Sequence, residues 1–402
     1  MTLIELFDSC QIENVIAALK FKPQKIVFVG FKEVMTRKRQ NDLQRFFKEK
    51  GISISLEYEI VGRYDFEHIT RTLNNIIDKN NDCCFDLTGG KELVLVAMGV
   101  VSTERNVPMI QFNVRSGKLI NVKNFENIED DQKSFMTIDE CVILNGGAVA
   151  TETDEWKKWN LTPDFKADIE KMWGLSRQNP ALWNWQSNVF ENIEKFGMGE
   201  GVYACVRTNR LRCTNVEEQF NKDLLEQLSD AGLICDFRPD DDILTFRYKN
   251  EQVKRCISKA GNILELYVYM LAQEIVTEDP TFYDDIGIGV VVDWDGVIHG
   301  ADDGIDTKNE IDVILMRDLI PLFISCKNGE VHKEALYELE TVAEKFGGEY
   351  AKRYLLCTYI NNDAESREFI LQRAADMNIQ IICDVQKLEK EAFADMLKTR
   401  VV

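Results

Sequence analysis

The stretch that decides the fold is residues 309–328, which read NEIDVILMRDLIPLFISCKN. Its two apolar, strand-like runs carry Glu310 and Asp312 on the first run and Ser325 and Lys327 on the second. Side chains two positions apart on a strand point to the same face, so each pair is expected on one face. A hairpin of these runs would gather carboxylates and one ammonium at the edge of an apolar sheet. That set suits a metal-dependent phosphodiesterase, and an ordinary amphipathic hairpin with solvated charges is the alternative.

The composition is that of a globular protein of more than one domain. The chain has 402 residues, of which 45% are hydrophobic and 29% are charged, and this length predicts two or three domains. No apolar run is long enough to span a bilayer, and the first residues lack the regions of a signal peptide, so we expect a cytoplasmic protein without a membrane partner. The 11 cysteines are scattered without a CxxC pair, which fits a reducing compartment.

The charge balance restricts the kind of nucleic-acid partner. A formal net charge of −20 argues against a protein that coats long nucleic acid, because such binding draws on basic surface. A nuclease remains compatible, since a metal brings positive charge into an acidic site. Any nucleic acid is therefore expected to be bound briefly and as a single strand.

Element patterns divide the chain into three parts. Residues 1–150 alternate strand and helix signals from residue 25 onward, which predicts an α/β domain with a parallel, doubly wound sheet. Residues 151–255 read as a linker, either a small winged-helix-like module or a packing segment. Residues 256–402 give helix, three strands, helix and strand in that order.

A glycine-rich turn joins a predicted strand to a predicted helix at residues 86–91, DLTGGK. Doubly wound sheets bind ligands at the carboxyl ends of their strands, where glycines and free helix amides can approach phosphates. The spacing is not that of a Walker A loop. From the residues alone, a generic tight turn and a nucleotide site are both open.

The C-terminal order of elements resembles the PD-(D/E)XK nuclease superfamily. Glu265 resembles its helix acid, Asp312 its strand acid, and Ser325-Cys326-Lys327 stands where an acid-x-lysine is expected. Serine replaces the acid there, so the resemblance implies that Glu310 or Asp293 supplies the missing carboxylate. The implied cofactor is Mn²⁺ or Mg²⁺, held by Asp312, Glu265, Glu310 and Asp293, with Lys327 beside the reacting phosphate.

The run 27–30 and the turn 86–91 resemble the CARF domain, a Rossmann-like sensor of cyclic oligoadenylates. A CARF domain, a linker and a PD-(D/E)XK nuclease together resemble the ancillary nucleases of type III CRISPR systems, along nearly the whole chain. The resemblance implies a homodimer whose paired CARF domains bind one cyclic tetra-adenylate ring. The ligand residues that it implies are Gly30, Met35, Arg37, Thr88, Gly89, Gly90, Lys91 and Asn145.

Two functions from different classes follow. The first is an endonuclease for DNA, RNA or both that ring binding switches on, which requires the ring to favour the active arrangement. The second is a ligand-responsive, nucleic-acid-binding regulator whose nuclease-like domain is inactive because of Ser325.

Overall fold

The computed structural model of the chain describes residues 1–125, 134–150, 159–197, 199–207, 220–239, 243–299, 307–360 and 363–399. Parts of the predicted linker, at 151–158, 208–219 and 240–242, lie outside the described residues. The strands are β1 (Thr2–Leu6), β2 (Lys25–Gly30), β3 (Ser55–Ile60), β4 (Cys83–Asp86), β5 (Met109–Asn113), β6 (Lys118–Lys123), β7 (Ala148–Val149), β8 (Tyr203–Arg207), β9 (Ile234–Pro239), β10 (Ile243–Tyr248), β11 (Asp285–Asp293), β12 (Lys308–Arg317), β13 (Ile320–Lys327), β14 (Lys352–Cys357) and β15 (Ile379–Ile382).

The helices are α1 (Ile16–Phe21), α2 (Arg37–Glu49), α3 (Phe66–Lys79), α4 (Glu92–Arg105), α5 (Ile138–Leu144), α6 (Pro163–Gln178), α7 (Pro180–Phe196), α8 (Lys222–Asp230), α9 (Glu251–Ile257), α10 (Asn262–Glu278), α11 (Lys333–Gly347), α12 (Ala364–Asp376) and α13 (Lys390–Thr399). Side chains that accept a hydrogen bond from the first turn fix several helix starts, as Thr36 does for α2 and Thr137 for α5. Within the described residues, no helix is long and apolar enough to cross a membrane.

The N-terminal sheet is doubly wound, as predicted. Its strand order is β3-β2-β1-β4-β5-β6, with parallel pairing up to β5 and an antiparallel β6. The sequence prediction began this sheet at residue 25 and missed β1. All five residues of β1 are buried, and a strand that is covered on both faces shows no alternation to reveal it.

The C-terminal sheet has the strand order β15-β14-β13-β12-β11-β7. The pairs β11/β12 and β12/β13 are antiparallel, whereas β13/β14 and β14/β15 are parallel. The order α10, β11, β12, β13, α11, β14 confirms the predicted order of elements. The boundary at residue 150 stays a prediction, and β7, directly before it, pairs with β11 in this sheet.

The middle part forms a small antiparallel sheet with the strand order β8-β10-β9. Helix α8 comes directly before β9 in the chain. The predicted helix and the strand after it are both present, and the winged-helix-like assignment stays a prediction. This part packs tightly on the C-terminal domain: the Trp173 ring of α6 stacks on Tyr267 of α10 at 5.0 Å between centroids. Helix α10 is therefore held from both sides, by its own sheet and by the middle part.

One apolar core spans both large sheets. It contains Phe46 of α2, Phe323 of β13 and Phe346 of α11, all fully buried. A second core lies on the opposite face of the C-terminal sheet, under α10 and α13, and a third lies under α3 and α4. Because the first core is shared, the N-terminal and C-terminal domains are in direct apolar contact.

Candidate functional site

Asp312 and the end of β13 form a compact polar cluster. Asp312 Oδ2 accepts hydrogen bonds from the Cys326 backbone N–H at 2.8 Å and from Ser325 Oγ at 3.1 Å. Lys327 Nζ lies 3.7 Å from the same oxygen. The structure therefore brings together three predicted site residues, and Ser325 acts as a donor to Asp312 where an acid was expected.

Glu265 lies in the first turn of α10, where its side chain is half-buried and within electrostatic reach of Asp312. Burial raises the pKa of Glu265 to about 8. The negative charge of Asp312 raises the pKa further, and the positive charge of Lys259 lowers it. Glu310 adds a smaller rise and Lys327 a smaller decrease. Glu265 thus keeps its proton at neutral pH unless positive charge is added nearby.

A kink in β11 lies opposite Asp312. Gly289 has a φ of 56°, a backbone conformation that glycine adopts without strain. Its neighbours Ile288 and Val290 pair with Val313 and Ile311 of β12. Ile288 packs in the second core and Val290 in the first, although residues two apart on a regular strand share a face.

The same switch of faces occurs in β12, between Ile311 and Val313. The regular alternation of side chains between the two faces of the strand therefore does not continue through Asp312. The sequence prediction relied on that alternation. Glu310, just before the switch, borders two cavities, one on each side of it.

The first of these has a volume of about 280 Å³ and is lined by Glu310, Asp312, Ser325 and Lys327; we name it the catalytic cavity after these candidate catalytic residues. Helix α11 adds Glu338 to its lining, and sequence reasoning missed this residue. Glu338 is exposed and follows Lys327 on the next element of the chain. A solvated helix glutamate gives the same sequence signal, so only the packing of α11 on the sheet reveals it.

Asp293 is not part of this cluster. Asp293 is the last residue of β11 and pairs in register with Lys308. It lies four positions along the strand from Gly289, a separation of about 13 Å between the two residues. Its Oδ1 accepts hydrogen bonds from the backbone N–H groups of Asp295 at 3.1 Å and Gly296 at 3.0 Å. The structure thus gives Asp293 a role in shaping the following turn, away from Asp312.

The turn 88–91 lies at the carboxyl edge of the N-terminal sheet, as predicted. A Cβ on Gly89 would lie 2.9 Å from Glu13 Oε2, so any larger residue there would displace Glu13, and Gly90 has a φ of 143°, which favours glycine. Thr88 is engaged within the protein: its hydroxyl donates to Asp86 Oδ1 and accepts from the Phe112 N–H at 2.9 Å.

A pair of buried acids lies beneath this turn. Glu5 of β1 is directly opposite Asp86 of β4, and both are fully buried. Burial raises the pKa of both carboxyls, and the charge of Asp86 raises that of Glu5 further. Among the described residues, no N–H or O–H donor reaches Glu5 Oε1 or Asp86 Oδ2, so a proton shared by the two carboxyls satisfies both.

Replacing Glu5 by glutamine is expected to stabilise the protein increasingly as pH rises. A raised pKa means that the folded state holds a proton that the unfolded state releases above about pH 4, so wild-type stability falls with pH beyond that point. Glutamine can donate to Asp86 without titrating. Thermal unfolding should give the variant a higher melting temperature at pH 8 and a smaller difference at pH 5. A difference that grew toward low pH would contradict the shared proton.

The other predicted ligand residues of this edge differ in exposure. Gly30 ends β2, where a Cβ would lie 2.5 Å from Met35 Cε. Met35 is itself buried, only 3% exposed, and packs in the first core. Arg37 and Lys91 are exposed at the starts of α2 and α4.

Asn145 lies at the junction between the two large domains, where its side-chain amide and its backbone carbonyl are both hydrogen-bonded. Its side-chain amide donates to Phe346 O at 2.9 Å, and its backbone carbonyl accepts from Lys345 Nζ at 3.0 Å. Asn145 thus binds the C-terminal end of α11, and no contact recorded among the described residues links it to the turn 88–91.

Glu13 provides a second link across the junction. Tyr350 Oη donates to Glu13 Oε1 at 2.6 Å, and Glu13 Oε2 lies against Gly89. Burial raises the pKa of Glu13 to about 7, although the hydrogen bond from Tyr350 lowers it. Glu13, which lies against the glycine turn, is therefore hydrogen-bonded to Tyr350 of the C-terminal domain.

Residues 248–398 match the family model of the Card1-like endonuclease domain. A search of curated protein sequences gave no match. Among solved structures, the chain is similar to Can2 from Sulfobacillus thermosulfidooxidans, solved in complex with cyclic tetra-adenylate. The identity is 16% and the TM-score 0.70, over 100% of this chain and 99% of that chain.

The chain is also similar to the crystal structure of protein VC1899 from Vibrio cholerae, with 16% identity and a TM-score of 0.74, over 100% of this chain and 97% of that chain. At this identity the likeness establishes the fold. The predicted architecture is confirmed: the chain shares the fold of Can2, and its residues 248–398 match a Card1-like endonuclease domain.

Proposed function

We propose that the protein is a divalent-metal-dependent endonuclease that cleaves single strands of DNA or RNA and that cyclic tetra-adenylate activates. The observation that carries this proposal is the meeting of Glu265, Asp312 and Lys327 within a Card1-like endonuclease domain. The activator is proposed because Can2, whose fold the chain shares, was solved with cyclic tetra-adenylate.

Asp312, Glu265 and Glu310 are the residues proposed to hold Mn²⁺ or Mg²⁺. Their donor chemistry fits, since these cations prefer carboxylate oxygens. A cation would also replace the proton that Glu265 keeps because of burial and the charge of Asp312. Among the described residues, no three such donors already form a closed site, so side-chain movement would complete it. When bound, the cation would lower the pKa of water and stabilise charge on the phosphate.

Lys327 and Asp312 act together on the substrate. Asp312 receives the Cys326 N–H and the Ser325 hydroxyl, which fix its carboxylate next to the Lys327 ammonium. Lys327 is one-third exposed and lines the catalytic cavity, so its charge is available to a phosphate there. The ammonium would stabilise the negative charge that develops as the phosphodiester bond breaks.

Glu338 is proposed to take over from the acid that Ser325 replaces. It reaches the catalytic cavity from α11, on the same side as Ser325 and Lys327. A carboxylate from a helix can serve the same purpose as one from the strand, because a cation needs oxygen ligands rather than a particular element.

The ring is proposed to bind at Arg37 and the turn 88–91. These residues offer exposed charges, and two glycines allow the backbone to approach a phosphate. The route to the nuclease runs through Glu13 and Tyr350, and through Asn145 and Lys345. Helix α11 then joins this junction to the catalytic cavity, since Lys345 and Glu338 belong to the same helix.

A homodimer is proposed on the basis of an exposed apolar stripe on α4. Val96 and Val100, one helical turn apart, are 56% and 40% exposed. The stripe follows directly on the turn 88–91, so a partner packed there would bring a second copy of the turn close. Light scattering that gave the mass of one chain, with and without the ring, would exclude this assembly.

The proposal is tested by incubating the protein with labelled single-stranded DNA and RNA. Mn²⁺ or EDTA and cyclic tetra-adenylate are added in all combinations. We expect cleavage that requires both Mn²⁺ and the ring, because each completes a different part of the machinery. Cleavage in EDTA would contradict the metal, and equal cleavage without the ring would contradict the sensor. Ring binding without cleavage of either nucleic acid would favour the inactive regulator.

A further inference from the structure

The second cavity that Glu310 borders, the side cavity, has a volume of about 200 Å³. It lies between α7, α9, the start of α10 and the kink at Gly289, and Glu265 forms part of its wall. Two basic residues, Arg255 and Lys259, face it from the segment before α10. The side cavity therefore adjoins the proposed catalytic acids but has a different chemical character.

Arg255 is held in a fixed plane beside this cavity. Its guanidinium carbon lies 3.5 Å from the centroid of the Trp159 ring, and Trp159 stacks on Phe165 at 5.9 Å with an interplanar angle of 10°. Trp159 thus packs against both Phe165 and Arg255. A stacked guanidinium remains charged and presents its N–H edge sideways, which suits recognition of a phosphate.

The acids around the side cavity are largely neutralised. Glu191 is paired with Lys195 at 2.8 Å, and Glu194 accepts from Ser258 Oγ at 2.8 Å with Lys254 3.8 Å away.

Glu265 and Glu310 line the side cavity opposite the two basic residues. Both acids are proposed ligands of the cation, so Arg255 and Lys259 remain to face an anion in this cavity although the whole chain carries a net charge of −20.

We propose that Arg255 and Lys259 form a subsite for a backbone phosphate of the substrate, next to the phosphate that is cleaved. This inference rests on the proposed nuclease function and specifies its substrate as a single strand. The side cavity, at about 200 Å³, is smaller than the roughly 300–1,000 Å³ of sites that enclose a drug-sized ligand, which suits a single phosphate from a strand flexible enough to bend toward it.

The test compares Arg255→Gln and Lys259→Gln with Lys222→Gln, which removes the same charge at an exposed position on α8. All three are made in a Lys327→Ala background to prevent cleavage. Binding of fluorescent single-stranded DNA and RNA is measured by anisotropy across a salt series, with ring and Mn²⁺ present. We expect each cavity variant to bind more weakly than the control and to lower the salt slope by about 0.7, the value for one phosphate contact on a single strand.

Lys259 is exposed, so its variant remains informative if loss of the Arg255–Trp159 contact destabilises the fold, which thermal unfolding will reveal. Salt slopes equal to that of Lys222→Gln for both variants would overturn the subsite while leaving the nuclease proposal intact. Tighter binding of duplex than of single strand would also overturn it. Failure of the nuclease itself would appear separately, as absence of ring- and Mn²⁺-dependent cleavage by the unmodified protein.

Discussion

Replacing Lys327 by alanine is expected to slow ring-activated cleavage by about 10²–10⁴-fold. Lys327 Nζ lies 3.7 Å from Asp312 Oδ2 and faces the catalytic cavity, so its removal takes away positive charge where the transition state gains negative charge. Initial rates on labelled single strands at saturating Mn²⁺ and ring would measure the loss. Ring affinity should stay unchanged, because Lys327 lines the catalytic cavity and is not one of the residues proposed to bind the ring.

Lys333→Ala is the matched control for this experiment. Lys333 begins α11, six positions further along the chain, and its side chain is exposed. The control should cleave at the wild-type rate. If Lys327→Ala retained more than about a tenth of wild-type activity, Lys327 would have no role in stabilising the transition state.

Replacing Tyr350 by phenylalanine is expected to reduce the ratio of ring-activated to ring-independent cleavage by about 5–150-fold, the usual range of coupling between two sites. The substitution removes only the hydroxyl that donates to Glu13 at 2.6 Å. Since Glu13 also lies against Gly89, this bond connects the glycine turn to the segment that follows α11. Cleavage rates with and without the ring give the ratio directly.

Tyr337→Phe removes the same hydroxyl from an exposed position on α11 and serves as the control. It should leave the ratio unchanged. A wild-type ratio in Tyr350→Phe would show that activation does not travel through Glu13. The remaining contacts, between Lys345 and Asn145, would then be the route to examine.

Much of the catalytic cluster could be predicted from the chain because it is local. Asp312, Ser325 and Lys327 lie on consecutive antiparallel strands, so a short hairpin suffices to bring them together. Glu265 was predictable only by resemblance, and its proximity to Asp312 depends on how α10 packs across the sheet.

Other parts of the site were set by packing that no local pattern encodes. Gly289 interrupts β11 and changes which face its neighbours occupy, an effect that the alternation rule cannot foresee. Asp293 and Asn145 were expected at the metal and the ligand, yet their polar groups are used by a turn and by the domain junction. In the sequence, both are polar residues beside apolar runs. Functional residues show the same pattern, so the sequence could not distinguish the two roles.

The sequence by itself determined the two α/β sheets, the hairpin with its lysine, and the glycine turn, because these follow from periodicity and spacing over a few residues. Only the tertiary structure placed β1 at the centre of the first sheet, brought Glu338 to the catalytic cavity, and joined Glu13 to Tyr350. These contacts link residues that are far apart in the chain. They depend on one apolar core that both domains share, and the packing of that core is a property of the whole fold.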